Sequence, residues 1–147
     1  LRDVYKRQDL NNPDRTSTPM IVNFDTLVAD FPPNIDNLKI KHVVLYFVRA
    51  DGVEIEVPVT HLRFTENDST GTVGGGATSI DGVISTRRGN ASSWTSMIGK
   101  SPYGTWELSL NENLPDGRAP EELLKDEEII DILFVITYSG NTPEWPE

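Results

Sequence analysis

The stretch "LKIKHVVLYFVRADGVEIEVPV" (38–59) decides the fold. Its first half, 38–49, is dense in β-branched and aromatic residues, which suit a pleated strand. Leu38, Ile40, Val44, Tyr46 and Val48 share one face, and Val43, Leu45 and Phe47 occupy the other. From Val43 onward both faces are apolar, the pattern of a central strand covered on both sides. Asp51-Gly52 follows at once and is a strong hairpin signal. The expected partner strand is "VEIEVPV" (53–59), with Val53, Ile55, Val57 and Val59 inward and Glu54 and Glu56 outward. Pro58 suggests an edge position or a bulge. The apolar parity then moves to Leu62 and Phe64, which implies a bulge near Thr60-His61.

Working outward, "MIVNF" (20–24) reads as a first strand and "FPPN" (31–34) as a break. "TENDSTGTVGGGATS" (65–79) carries a loop signature, and "DGVISTRR" (81–88) reads as a short strand. "GNASSWTSMIGKSPYG" (89–104) is a polar stretch anchored by Trp94 and Ile98. "TWELSL" (105–110) alternates, with Trp106, Leu108 and Leu110 on one face. "PEELLKDEE" (120–128) places proline at a first helical position and predicts one short helix. "IIDILFVITYSG" (129–140) is again apolar on both faces and predicts a second central strand. Several strands, one short helix and frequent turn signals predict an all-β fold, an antiparallel β-sandwich.

The 147 residues carry a net charge of −10, with 37% hydrophobic and 24% charged residues. That composition suits one globular domain with a real core. Residues 1–19 are polar and lack periodicity, so they are read apart from a single domain over 20–147. Residues 3–8, "DVYKRQ", can be written in codons as GAT GTG TAT AAG AGA CAG. This resembles a transposon end used to cut DNA for short-read libraries. Leu1–Gln8 are then translated adapter, expected to pack against nothing, and the chain is a metagenomic fragment from the C-terminus of a much longer protein. Without residues 1–8, Lys and Arg fall from 13 to 10 and Asp and Glu from 23 to 22, leaving −12. So acidic a chain repels nucleic acid and anionic membranes, and a basic partner is expected. With no cysteine, disulfide and thiolate chemistry are excluded.

Little points to catalysis. His42 alternates with strand residues and reads as structural. His61 lies at the expected bulge, within cross-strand reach of His42 in the 38–64 hairpin, but a metal site needs a third ligand. Ser85, Ser92, Ser93 and Ser96 lack a nucleophile elbow. "GTVGGG" (71–76) lacks the Lys-Ser/Thr of a phosphate loop and reads as a flexible hairpin tip. "ENDSTG" (66–71) does not follow the calcium-loop order, and "KDEE" (125–128) reads as a solvated helix face. No catalytic, metal or cofactor residues are assigned. The unusual stretch is "STRRGNASSW" (85–94), two arginines in an acidic chain beside Gly89-Asn90. As a recognition loop it offers Arg87, Arg88, Asn90 and Trp94 to a partner. Asp131, polar in an apolar strand, is the remaining candidate for an ion pair or a subunit boundary.

"GTWELSL", a short acidic helix and "IIDILFVITYSG" together resemble the end of the A subunit of Tc toxin complexes. There a Trp-x-Leu-x-Leu strand precedes an Ile-x-Asp-Ile-Leu-x-x-Ile-x-Tyr strand. The matching positions are Trp106, Leu108, Leu110, Ile130, Asp131, Ile132, Leu133, Ile136, Thr137 and Tyr138. "DGVISTRRGNASSW" is loosely similar as well. The resemblance covers the last third best. It implies a non-enzymatic docking domain that binds the B subunit of a B–C cocoon at the mouth of a pentameric translocation channel. It further implies self-association through the full-length chain, no membrane insertion by this domain, and an extracellular place in a toxin complex. The end "SGNTPEWPE" departs from the family's more basic, Ala-Arg-Gly-like tail and implies a divergent branch. The rival reading is a carbohydrate-binding sandwich that stacks sugars on Trp94, Trp106 or Trp145.

Overall fold

The structure is a computed structural model that describes residues 2–6, 20–67, 71–110, 114, 117, 118 and 120–141. It is the expected all-β sandwich. Its strands are β1 (Arg2–Lys6), β2 (Met20–Thr26), β3 (Asp36–Arg49), β4 (Pro58–Glu66), β5 (Thr72–Thr78), β6 (Val83–Ser85), β7 (Gly104–Leu110) and β8 (Ile129–Asn141). One sheet has the order β1-β8-β3-β6 and the other β2-β7-β4-β5, each four-stranded and antiparallel. The one α-helix among the described residues is α1 (Pro120–Lys125), whose Leu123 and Leu124 are buried.

β3 and β8 are neighbours at the centre of their sheet, as their two-sided apolar pattern requires. A register shift between Ile40 and His42 corrects the predicted facing of β3. Because the bulge absorbs Lys41, the inward set is Leu38, Ile40, Val43, Leu45 and Phe47, all buried. Val44, Tyr46 and Val48 take the opposite parity, and Tyr46 and Val48 are exposed. The core is aromatic. Trp106 stacks on Phe64 at 4.2 Å and meets Phe134 of the facing sheet edge-on at 4.8 Å. Its Nε1 donates to the Thr26 hydroxyl at 2.9 Å, so the largest core ring leaves no buried donor unmet.

The expected hairpin between 38–49 and 53–59 does not form. β3 and β4 belong to different sheets, and residues 53–57 cross between them. The turn explains why. Val53 N–H donates to the Ala50 carbonyl at 3.0 Å, and of Asp51 and Gly52 the glycine alone has positive φ, +80°. The tight hairpin turns, types I′ and II′, need positive φ at the first central residue; with it at the second alone, the type II pattern, the flanking strands splay. Val57 is buried on arrival. Glu56 turns onto the neighbouring 79–82 turn, accepting from the Ser79 hydroxyl (2.8 Å), Asp81 N–H (2.6 Å) and Gly82 N–H (3.0 Å). Arg49 stands 3.6 Å away. The bulge near Thr60-His61 is present, as a register shift between Val59 and Leu62.

Two further expectations are corrected. "GTVGGG" is not a hairpin tip; Thr72–Thr78 pair with β4 as an edge strand. The glycines have close neighbours: the 3-10 helix Ser92–Met97 lies on β5, where a Cβ on Gly75 would stand 2.9 Å from the Ser93 Cβ, and a Cβ on Gly76 would stand 2.8 Å from the Thr60 carbonyl oxygen. Residues 1–8 do not pack against nothing: Arg2–Lys6 pair with Phe134–Tyr138, so backbone groups along that edge of β8 find partners.

Candidate docking surface

The antiparallel order sorts charge along the β3–β8 pair. At the start of β3, Ile40 N–H donates to the Lys100 carbonyl (2.8 Å) and Gly99 N–H to the Ile40 carbonyl (2.8 Å). One step on, Thr86 N–H donates to the Val43 carbonyl (3.1 Å). Lys39, Lys41, Arg87, Arg88 and Lys100 therefore gather at one end. At the far end, Arg49 faces Ile129, and Ala50 N–H donates to the Glu128 carbonyl (2.9 Å). Asp51, Glu54, Asp126 and Glu127 collect there, all exposed.

The turn that carries the arginines is held by its own backbone. The Ser85 hydroxyl accepts from Arg87 N–H (3.1 Å), and its carbonyl accepts from Arg88 and Gly89 N–H (both 3.2 Å). Gly89 has φ +88°, the left-handed conformation that closes the turn. Asn90 locks the base: its Oδ1 accepts from Ser85 N–H (2.9 Å), and its Nδ2 donates to the Val83 (2.8 Å) and Thr78 (3.2 Å) carbonyls. The Thr86 hydroxyl accepts from Val43 N–H (3.0 Å) and lies 3.2 Å from His42 Nδ1. Burial, and next the charge of Arg87, hold the His42 pKa below its usual value and favour the neutral ring.

Of the five sequence-derived site residues, the structure presents two outward. Arg87 and Arg88 are exposed, and neither pairs with a carboxylate among the described residues. Asn90 is spent on the turn. Trp94 is fully buried, with Nε1 donating to the Gly75 carbonyl at 2.8 Å, so its ring face is closed to a partner. Met97 is the second buried anchor of that segment, whereas Ile98 is 38% exposed. Asp131 is half-buried opposite Val48, toward the acidic end, and does not join the arginines. Sequence reasoning missed Lys39, Lys41 and Lys100. Their spacing looks like ordinary polar strand positions, and only the pairing of β3 with residues 86–100 brings them beside the arginines.

His61 is not beside His42; the two lie in different sheets. His61 Nε2 is 2.9 Å from Glu107 Oε2, and Arg63 stands 3.6 Å from the same oxygen. These line the outer face of the second sheet, where Arg63, Thr65, Thr72, Gly74, Thr105 and Glu107 border an open cleft of about 340 Å³. Ser109, opposite His61, is fully buried, and its hydroxyl has no hydrogen-bond partner among the described residues. No cluster of three metal-ligating side chains occurs among the described residues.

The chain matches no family model, no curated protein and no solved structure. The surface must therefore be read from its own chemistry.

Proposed function

We propose that this sandwich is a non-enzymatic protein-docking module. In the setting that the sequence resemblance implies, it ends a Tc-like A subunit and receives the B–C cocoon at the mouth of an oligomeric channel. The observation that carries the reading is the 85–90 turn. Its backbone is fixed by six hydrogen bonds around Ser85 and Asn90, while its two exposed arginines pair with no acid among the described residues. A rigid turn loses little freedom on binding, which favours recognition. Catalysis finds no comparable support: His61 faces Glu107 rather than the buried Ser109 hydroxyl, and among the described residues no nucleophile is aligned with a base.

One observation favours the second reading, a carbohydrate-binding module. The cleft bordered by Arg63, Glu107 and the threonines offers polar groups of the kind sugar hydroxyls bind. It does so without an aromatic platform, since Trp94 and Trp106 are both inside, and Trp145 lies outside the described residues. A pull-down with a B-like cocoon, run beside a glycan array, separates the two. Cocoon capture that weakens about tenfold or more in Arg88→Ala fits the loss of one charge-assisted contact and supports docking. Glycan binding with no protein partner overturns it.

A further inference from the structure

The cations of the described residues divide by whether a carboxylate stands beside them. Arg49, Arg63 and Arg118 each stand within ion-pair distance of a carboxylate: Glu56, Glu107, and Asp126 with Glu128. Among the described residues, Lys39, Lys41, Arg87, Arg88, Lys100 and Lys125 make no such pair. All of these except Lys125, which lies at the opposite end, are collected at one end of the sheet by the pairing of β3 with residues 86–100. The bulge between Ile40 and His42 helps. It leaves Lys39 and Lys41 both exposed, with Ile40 buried between them. Of the carboxylates nearby, Glu66 is committed to Ser101 N–H at 2.6 Å, and Asp36, exposed at the head of β3, is outnumbered by the five cations gathered there. A chain of net −10 thus holds a local cationic surface at one end and acids at the other.

Resting on the docking reading above, we propose that the partner presents a short carboxylate-rich protein segment, received by Lys39, Lys41, Arg87, Arg88 and Lys100. This reverses the expectation, drawn from net charge alone, that the partner is basic. Arginines supply paired donors suited to carboxylates, and the lysines add charge around them. The extent of the surface favours a short acidic segment over nucleic acid or an anionic membrane. From Lys39 to Val43 the strand covers roughly 13 Å, about one and a half Debye lengths in physiological salt. A polyanion much longer than that would run onto the acidic end, where Asp51, Glu54, Asp126 and Glu127 repel it.

The test uses fluorescence anisotropy with a labelled short oligoglutamate peptide, a heparin oligosaccharide and a short DNA duplex, titrated from about 50 to about 300 mM salt. The wild-type chain should bind the peptide most tightly, with affinity falling as salt rises. Arg87→Glu with Arg88→Glu should lose about tenfold or more, Arg87→Gln with Arg88→Gln less, and Lys125→Glu at the opposite end should hold affinity or lose about twofold at most. Equal peptide binding by the reversed variant, or tighter binding of the duplex or heparin, overturns the inference. The cocoon pull-down, repeated with the reversed variant, separates the two readings. Undiminished capture refutes the acidic contact and leaves docking standing. Salt-sensitive peptide binding without any cocoon capture refutes the toxin setting and leaves the carboxylate preference standing.

Discussion

Single residues divide by what surrounds them. Gly74, with φ +128°, has no room for a side chain: a Cβ would collide with the Leu62 carbonyl oxygen and press the Met97 methyl. Gly74→Ala should cost at least about 2 kcal/mol in denaturant unfolding, from overpacking and backbone strain together. Gly89 also has positive φ, but nothing lies within 4 Å of its would-be Cβ, so Gly89→Ala should cost only about 1 kcal/mol. Phe134 is fully buried against Phe24 and Trp106, and Phe134→Ala should cost about 3–5 kcal/mol. Glu56 gives a pH-dependent case. Burial alone raises its pKa, but the Gly82 N–H, Ser79 hydroxyl, Asp81 N–H and Arg49 charge outweigh it and hold the carboxyl below its ordinary value. A depressed folded-state pKa means the stabilisation is present above the unfolded value and is lost as pH falls through the folded one. In wild type, thermal stability should therefore decline on acidification below the ordinary glutamate range. Glu56→Gln should be less stable at neutral pH and should flatten that part of the profile; an unchanged slope would show that the Glu56 clamp contributes nothing.

At the level of elements, the long strands were legible because both their faces are apolar, which few alternatives accommodate. β3, β7 and β8 lie close to their predicted bounds. What failed was pairing. Asp51-Gly52 looks like a hairpin in sequence, and the backbone angles of one residue, Asp51, send the chain to the other sheet instead. The glycine run failed for a related reason. A strand needs side chains to announce itself, and β5 has given up three of them, at Gly75 to admit the 3-10 helix at 92–97 and at Gly74 and Gly76 where a Cβ would strike the β4 backbone. The arginines were legible as an anomaly of charge, but the lysines beside them are a product of long-range pairing. β1 offers a direct check on an edge. Deleting residues 1–8 removes its pairing with Phe134–Tyr138. Native-state hydrogen exchange should then speed up at β8 amides facing that edge, with amides of the β4–β7 pair unchanged. Unaltered β8 protection would show that β1 adds nothing to the sheet.

Over the whole molecule, the arch at Asp51-Gly52 sets the order in which the chain can become a protein. Because β3 leaves its sheet without a hairpin partner, its main neighbour is β8, and Val43 waits for Ile136 roughly ninety residues later. The other sheet has the same dependence, since Phe24 lies opposite Trp106. Neither half can close on itself during synthesis. The apolar faces of β3 stay open until β8 has been made, and a ribosome stalled before Ile129 would display an unpaired, aggregation-prone strand.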